Sequence, residues 1–360
     1  MSMPSPRIGI LTAGGDCAGL NAVIRGIVGA ASGRNIDVVG YAEGYEGLLN
    51  PQTARILSAE ETRGIEAEGG SIIGSTNKGR FQLRRGPDGS STLPEPLIRA
   101  TRTAMDQQKV GALVVMGGDG SLRTGLHLSR AGLRVIGVPK TIDNDIDSTD
   151  VTFGFDTAVA RVAEAVQNLR TTAETHRRVI VLEVMGRHSG WLALHGAVAG
   201  GAEAALIPEI PFDGDQLTRF VKDGERRGLR SCVIVVAEGA RAKAGRQMRR
   251  QTASGENRLG GIGGYVESVV ARSGRETRCC VLGHLQRGGS PTAFDRVLGQ
   301  QFGVRAVELV ADGMFGRMVS YRFGSVTDVA LADAVNRRRS VSPDSQILRH
   351  ARALGLFLGD

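Results

Sequence analysis

Short apolar runs alternate with helix-length segments along most of the chain. Eight runs are rich in Val, Ile and Leu: "RIGILT" (7–12), "DVVGYA" (37–42), "ALVVMGG" (112–118), "RVIGVP" (134–139), "RVIVLEV" (178–184), "EAALIP" (203–208), "SCVIVVAEG" (231–239) and "RCCVLG" (278–283). Unbroken apolar strands separated by helix-length segments are typical of parallel sheets covered on both faces. A helix is expected over 155–173, where apolar residues recur at helical spacing. The pattern predicts an α/β fold.

The number of strands bears on the domain count. A chain of 360 residues exceeds one typical domain, and eight strands exceed what one doubly wound sheet needs. We therefore expect two α/β domains, with a first break near 150–155. In open parallel sheets, ligands bind beyond the carboxyl ends of the strands, so the residues that follow each run are where chemistry is expected.

Composition narrows the class of partner. The net charge is +8, and most basic residues are arginines, which suit bidentate phosphate contacts. The basic residues are dispersed, with RRR at 337–339 as the one triple and no interleaved aromatics. Nucleic acid is therefore not expected as a partner, whereas phosphorylated metabolites are.

Cysteine spacing and hydropathy bear on the compartment. The four cysteines form no CxxC pair, so neither a disulfide framework nor a cysteine metal site is expected. The first residues carry no apolar signal segment, and no run reaches the ~18 apolar residues of a membrane span. We expect a cytoplasmic protein that is not membrane-bound.

Two glycine-rich turns follow strands. In "TAGGDCAGLN", Gly14 and Gly15 end a strand before a helix, which suits either a phosphate loop or a structural turn. In "MGGDGS" (116–121), glycines flank Asp119 at a helix start. This carboxylate is interpreted as a Mg²⁺ ligand, and the alternative is a helix N-cap.

A third strand is followed by dense polarity in "PKTIDND". Asp143 and Asp145 alternate, so in an extended loop they would point the same way. One carboxylate could accept a proton from a substrate hydroxyl while the other aids metal or water positioning. Solvated loop acids are the alternative.

Two further strand ends carry arginine beside glycine. Arg187 lies in "MGRHSG", and Arg287 in "GHLQRGGSP" together with His284; both arginines could clamp a phosphate. Glu238 follows another strand and could accept hydrogen bonds from a sugar hydroxyl, and the alternative is a structural role. His188 is interpreted as structural.

These motifs, in this order, resemble the 6-phosphofructokinases of bacterial type. The resemblance rests on "GGD", "GGDGS", "TIDND", "MGR", a Glu after the seventh strand and "GHLQRGGSP", and it covers roughly residues 7–315. It implies two Rossmann-like three-layer domains with the active site in the cleft between them. The nucleotide-binding domain would comprise 1–154 plus about 288–336, and the sugar-phosphate domain about 155–287 plus 337–360.

The resemblance also implies roles for individual residues. Asp143 would be the base toward the C1 hydroxyl of fructose 6-phosphate, and Thr141 and Arg187 would stabilise the transferred phosphoryl group. The nucleotide phosphates would be lined by Gly15, Gly118, Gly120 and Ser121, and Asp119 would hold Mg²⁺. The sugar phosphate would meet Met185, Gly186, Glu238, His284 and Arg287. Arg178 and Arg278 would reach a neighbouring subunit's site, which implies a homotetramer.

The phosphoryl donor depends on two positions. Lys140 is typical of pyrophosphate-using relatives and Gly120 of ATP-using ones. An Asp at 120 would obstruct and repel the α-phosphate of ATP, and Gly120 leaves that space open. Because exclusion decides specificity more firmly than attraction, ATP is expected, with pyrophosphate or dual-donor use as the alternative.

Two family features depart from the common bacterial form. Asn77 stands where an arginine is usual, and Arg80 is the candidate to replace it at the nucleotide. The effector-site arginines of relatives are matched by Arg25, Arg170 and Arg227, with Glu203, but Gly29 and Leu229 replace basic residues. Regulation is therefore left open.

Rival functions account for fewer of the motifs. NAD kinases and lipid kinases share only "GGDG", and a dehydrogenase would need GxGxxG with a later acid. A non-catalytic metabolite-sensing protein would leave Asp119 and Asp143 without a purpose.

Overall fold

The structure, a computed structural model, describes residues 7–76, 79–85, 91–243, 245, 247–251 and 257–360. Its strands are β1 (Arg7–Ala13), β2 (Asp37–Tyr41), β3 (Ala54–Leu57), β4 (Arg84–Arg85), β5 (Ser91–Thr92), β6 (Val110–Gly117), β7 (Val135–Pro139), β8 (Val179–Val184), β9 (Ala204–Leu206), β10 (Cys232–Ala237), β11 (Arg249–Gln251), β12 (Asn257–Leu259), β13 (Thr277–Val281), β14 (Arg317–Arg322) and β15 (Ser325–Ala330). Its helices are α1 (Leu20–Ser32), α2 (Glu95–Gln107), α3 (Asp119–Arg130), α4 (Phe155–His176), α5 (Trp191–Gly200), α6 (Gly214–Arg226), α7 (Ile262–Ala271), α8 (Ala293–Ala311), α9 (Leu331–Ala334) and α10 (Gln346–Ala353).

The chain divides into two compact units. Unit 1 comprises Met1–Ile142, Ile146–Asp156 and Arg287–Arg338, and unit 2 comprises Asp143–Asp145, Thr157–Gln286 and Arg339–Asp360. No helix in the described part of the chain is long and apolar enough to cross a membrane.

Unit 1 is built on a seven-stranded sheet in the order β15-β14-β7-β6-β1-β2-β3. The five central strands are parallel, and the outer strands β15 and β3 pair antiparallel with their neighbours. Strands β1, β6 and β7 are almost wholly buried, as their unbroken apolar sequences predict. Helices α1 and α8 pack very closely, since a Cβ atom on Gly303 would lie 2.4 Å from the carbonyl oxygen of Val23.

Unit 2 is built on a four-stranded parallel sheet in the order β13-β8-β10-β9. Its core contains apolar side chains of β8, β9 and β10 together with those of α6 and α7. Glu183, the last residue but one of β8, is only 5% exposed. Its carboxylate accepts the backbone N–H groups of Gly261 (3.3 Å) and Gly263 (2.8 Å), so this acid caps the start of α7.

The expected fold class, mixed α/β with mostly parallel sheets, is confirmed. The eight expected strands are present, and the helix expected over 155–173 extends to His176 as α4. Because parallel strands point the same way, the carboxyl ends of β1, β6 and β7 share one edge of the first sheet. The carboxyl ends of β8, β10 and β13 do the same in the second.

Candidate active site

The turn after β1 lines a cavity in unit 1. The N–H of Gly14 donates to the carbonyl of Thr76 (2.9 Å), and the Ser75 hydroxyl donates to the carbonyl of Gly14 (2.7 Å). These bonds fix the turn against the segment 70–76. The cavity has a volume of about 430 Å³ and is lined by Gly14, Gly15, Asp16, Gly70, Ser71, Gly74, Ser75 and Thr76. Backbone and hydroxyl groups predominate in this lining, as suits an anionic ligand.

The second glycine-rich turn leads directly into α3. Gly118 is the N-cap residue and Asp119 the first helical residue. A Cβ atom on Gly117 would lie 2.4 Å from the Cβ of Ser121, so only glycine lets this serine pack against the strand end. A Cβ atom on Gly120 would meet no heavy atom within 4 Å. The first turn of α3 therefore faces open space at Gly120.

Lys140 follows β7 and is buried, with 3% exposure. Its ammonium group donates to the carbonyl oxygen of Gly15. A Cβ atom on Gly14 would lie 3.3 Å from Lys140 Nζ and 3.4 Å from Ser121 Oγ, so the two side chains converge beneath that glycine. Lys140 is thus tied to the loop after β1.

Asp119 is paired with two arginines. Arg123, one turn along α3, contacts Oδ1 at 3.0 Å, and Arg338 contacts Oδ2 at 3.4 Å. Sequence reasoning assigned no role to either arginine. The RRR triple at 337–339 marks Arg338 in the sequence. Its pairing with Asp119 is not predictable from the sequence, because the two residues are far apart along the chain.

Arg80 lies at the side of the α3 start in unit 1. Its guanidinium pairs with Glu46 at 2.8 Å and is mostly exposed. The next residue, Phe81, stacks on Tyr45 with ring centroids 5.2 Å apart, and the Tyr45 hydroxyl donates to the carbonyl of Ser121 (2.8 Å). Asn77, the other position considered for the nucleotide, lies outside the described residues.

Arg287 belongs to unit 1 and contacts the turn after β1. Its NH1 group donates to the carbonyl of Asp16 (2.7 Å) and would lie 3.0 Å from a Cβ atom on Gly15. Thr141 is held through its own carbonyl, which accepts the Thr152 hydroxyl at 2.7 Å. Unit 1 thus brings Gly15, Lys140 and Arg287 together around one turn.

The segment Asp143–Asp145 belongs to unit 2, which holds it at both ends. The buried Ser189 hydroxyl donates to the carbonyl of Asp143 (2.8 Å), and the N–H of Arg339 donates to the carbonyl of Asp145 (2.9 Å). Arg339 also stacks on Trp191, with its guanidinium carbon 4.4 Å from the ring centroid.

The expectation of an extended loop at Asp143 and Asp145 is wrong. Asn144, between them, has φ of 51°, in the left-handed region. Asp143 and Asp145 would point the same way only if the backbone were extended at residues 143, 144 and 145. The two carboxylates are therefore not aligned by alternation. Asn tolerates this conformation better than most residues, because its short amide bonds locally.

The ends of β8 and β10 bring together the expected sugar-phosphate residues of unit 2. The Met185 N–H donates to the side-chain oxygen of buried Gln286 (3.1 Å), and the Gly239 N–H donates to the carbonyl of Gly186 (3.1 Å). A Cβ atom on Gly239 would lie 2.2 Å from the carbonyl of Arg187, so the two loops touch through backbone alone. Arg187 itself is exposed.

Glu238 and His284 are the remaining expected residues of this group. Glu238 is half-buried beside Gly239, and its N–H donates to the carbonyl of Val184 (2.8 Å). His284 is exposed in the short 3₁₀ segment Gly283–Gln286. Gln286, which sequence reasoning missed, donates to the carbonyl of Gly283 (2.9 Å) and so fixes this segment.

Arg178 and Arg278 share one carboxylate. Glu276 contacts Arg178 at 2.8 Å and Arg278 at 2.6 Å. The bond from Arg178, with the charge of both arginines, holds the pKa of Glu276 below its usual range. Sequence reasoning missed Glu276, although it stands two residues before Arg278. In the same unit, Arg170 pairs with Glu203 at 2.8 Å.

Comparisons with known proteins point to one protein family. Residues 7–310 match the family described as Phosphofructokinase. The ATP-dependent 6-phosphofructokinase of Chloroflexus aurantiacus is 46% identical over 361 residues, covering 100% of this chain and 99% of the relative. The pyrophosphate–fructose 6-phosphate 1-phosphotransferase of Amycolatopsis methanolica is 44% identical over 345 residues, covering 94% and 97%.

A solved structure agrees with the fold. Phosphofructokinase from Saccharomyces cerevisiae superposes with a TM-score of 0.79 at 31% identity, over 92% of this chain. This chain spans 45% of that longer yeast chain. The family match over 7–310, near-complete coverage of bacterial relatives and the common fold lead to one conclusion: the chain belongs to the phosphofructokinase family.

Proposed function

We propose that this chain transfers the γ-phosphoryl group of ATP to the C1 hydroxyl of fructose 6-phosphate, giving fructose 1,6-bisphosphate and ADP. The observation that carries the donor assignment is the open space at Gly120, in the first turn of α3. Helix N-termini attract phosphates through unpaired N–H groups and the helix dipole. Similarity over the full chain to ATP-dependent 6-phosphofructokinases supports the same reaction.

Lys140 is compatible with ATP as donor. Its ammonium is buried and already bonded to the carbonyl of Gly15, so it adds positive charge near the loops without filling the space at Gly120. Exclusion of a ligand requires a clash or a repulsion, and Lys140 supplies neither toward phosphates.

Pyrophosphate is the second candidate donor. The same buried ammonium beneath Gly14 favours it, because a compact dianionic donor gains as much from this charge as ATP does. The 44% identity to a pyrophosphate-using relative points the same way.

Mg²⁺ is the cofactor we assign. Among the described residues, no group of three or more His, Cys, Asp or Glu side chains could hold a metal ion. Mg²⁺ is commonly bound by one or two carboxylates together with substrate phosphates and water, so Asp119 alone suits it. Mg²⁺ neutralises charge on the transferring phosphates when bound.

We assign the acceptor chemistry to residues that follow β7, β8, β10 and β13. Asp143 is the general base for the C1 hydroxyl, and its loop is held from both ends by Ser189 and Arg339, which keeps a base in reach of its proton. Arg187 and Thr141 stabilise the transferred phosphoryl group. The sugar phosphate contacts Met185, Gly186, Glu238, His284 and Arg287.

The assembly we propose is a homotetramer. Arg178 and Arg278 would reach a neighbouring subunit's sugar-phosphate site, and their common partner Glu276 would hold the two guanidinium groups side by side. Two adjacent guanidinium groups suit a phosphate, which accepts several charge-assisted hydrogen bonds at once. The cytoplasm is the compartment we assign.

Replacement of Asp143 tests the catalytic assignment. We expect Asp143→Asn to lower kcat by about 10²- to 10⁴-fold with little change in KM for either substrate, the usual contribution of a positioned general base. Asp147→Asn, in the same loop, serves as the matched control and should keep near wild-type turnover. An Asp143→Asn enzyme that retains more than a tenth of kcat would overturn the assignment.

A further inference from the structure

Asp119 at the start of α3 has one arginine on each carboxylate oxygen. Arg123 Nε lies 3.0 Å from Oδ1, and an NH2 group of Arg338 lies 3.4 Å from Oδ2. Asp119 is 15% exposed, whereas the Arg338 side chain is 46% exposed. The contact with Asp119 uses one of the five N–H donors of Arg338, and nearly half of this side chain is open to solvent.

The backbone holds Arg338 at this position independently of Asp119. Residue 338 forms an antiparallel bridge with Ile146. Arg338 would therefore stay beside the start of α3 even if a ligand drew its guanidinium away from the carboxylate.

The charge at this helix start depends on Arg338. Asp119 contributes −1, and Arg123 and Arg338 contribute +1 each, so the three sum to +1; without Arg338 they sum to zero. The positive end of the α3 dipole and the open space at Gly120 lie at the same place. The partly exposed guanidinium of Arg338 has the planar geometry that phosphate oxygens bind in pairs.

We infer that Arg338 binds the phosphates of the donor, in exchange for part of its contact with Asp119. Arg338 lies after residues 7–310, the range that matches the family, in the C-terminal part of the chain. This inference rests on the proposed function of the α3 start as the donor site.

Equilibrium binding of MgATP, measured by calorimetry without acceptor, tests the inference. We expect Arg338→Gln to weaken binding about tenfold, since a charge-assisted phosphate contact is lost. Arg337→Gln is the matched control: it removes the same charge from the adjacent residue, whose side chain is 81% exposed and paired with Asp147. Its affinity should stay within about twofold of wild type.

Two alternatives give different results. If Arg338 only competes with Mg²⁺ for Asp119, Arg338→Gln binds MgATP as tightly as wild type or more tightly, and the inference is wrong. If the Gln variant does not fold, Arg338→Lys replaces it; loss of the planar fork should still weaken binding about threefold, and wild-type affinity would contradict the inference. Absence of MgATP binding to the wild-type protein would instead refute the proposed donor.

Discussion

Gly120→Asp is the substitution that tests most directly why ATP is the phosphoryl donor. A Cβ atom at this position meets no heavy atom within 4 Å, so the new side chain fits without moving its neighbours. An aspartate near a helix start is stabilised by the dipole by roughly 0.3–1 kcal/mol. Replacing a helical glycine by aspartate adds roughly 0.3 kcal/mol more. The folded state should therefore be as stable as wild type, or more stable.

The substitution is expected to lower the affinity for ATP. The new carboxylate changes the sum of charges on residues 119, 120, 123 and 338 from +1 to zero. Repulsion between one carboxylate and one phosphate charge about 6 Å apart amounts to about 0.7 kcal/mol at water's dielectric constant and about 2.8 kcal/mol at an effective value of 20. The corresponding loss of affinity is about 3- to 100-fold, and the partial exposure of the site favours a value near tenfold.

Steady-state kcat/KM for MgATP is the quantity to measure, at saturating fructose 6-phosphate. Gly120→Asn is the matched control, since it adds nearly the same bulk without the charge. We expect a loss of about tenfold or more for Asp and a smaller loss for Asn. A Gly120→Asp enzyme within twofold of wild type would refute the idea that open, uncharged space at residue 120 admits ATP.

Three further outcomes follow from the packing and the pKa shifts. Gly239→Ala should lower the melting temperature by several degrees, because its Cβ would lie 2.2 Å from the carbonyl of Arg187. An unchanged value, as expected for Gly111→Ala, whose Cβ would meet its nearest neighbour only at 3.9 Å, would contradict this. Burial and the charge of Arg339 lower the pKa of His195 below 6.5, so the neutral ring stabilises the fold above pH 6.5 and this stability is lost as pH falls further. His195→Gln should therefore reduce the fall in melting temperature between pH 7.5 and pH 5 by about 1–3 °C. A variant with the same pH profile as wild type would exclude this role. Burial raises the pKa of Cys17 to about 12, so iodoacetamide at pH 8 should leave this thiol unmodified in the native protein and alkylate it after unfolding. Peptide mass spectrometry measures the labelling, and equal labelling in both states would disprove the burial.

The sheets were predictable from the sequence because burial on both faces leaves unbroken apolar runs. Strands β6, β8 and β10 follow this rule along nearly their whole length. The antiparallel edge strands were not predictable in the same way. β3 is largely exposed and β15 is only partly buried, so their sequences lack the apolar signature.

The candidate site was predictable where glycines and acids follow buried strands, as at Gly117 and Asp119. Its long-range partners were not, since neither periodicity nor spacing links Asp119 to Arg338, 219 residues away. The backbone at Asn144 was missed for a local reason. The pattern of polar and apolar residues does not reveal that the backbone at Asn144 is in the left-handed region.

Phosphoryl transfer by the purified wild-type protein tests the central claim most directly. Fructose 6-phosphate and Mg²⁺ are supplied with either ATP or pyrophosphate, and the product is identified by phosphorus NMR. Our account predicts fructose 1,6-bisphosphate with the new phosphate on C1, formed with ATP at a kcat/KM well above that with pyrophosphate. Product formed with pyrophosphate alone would contradict the donor assignment, and no product with either donor would contradict the proposed reaction.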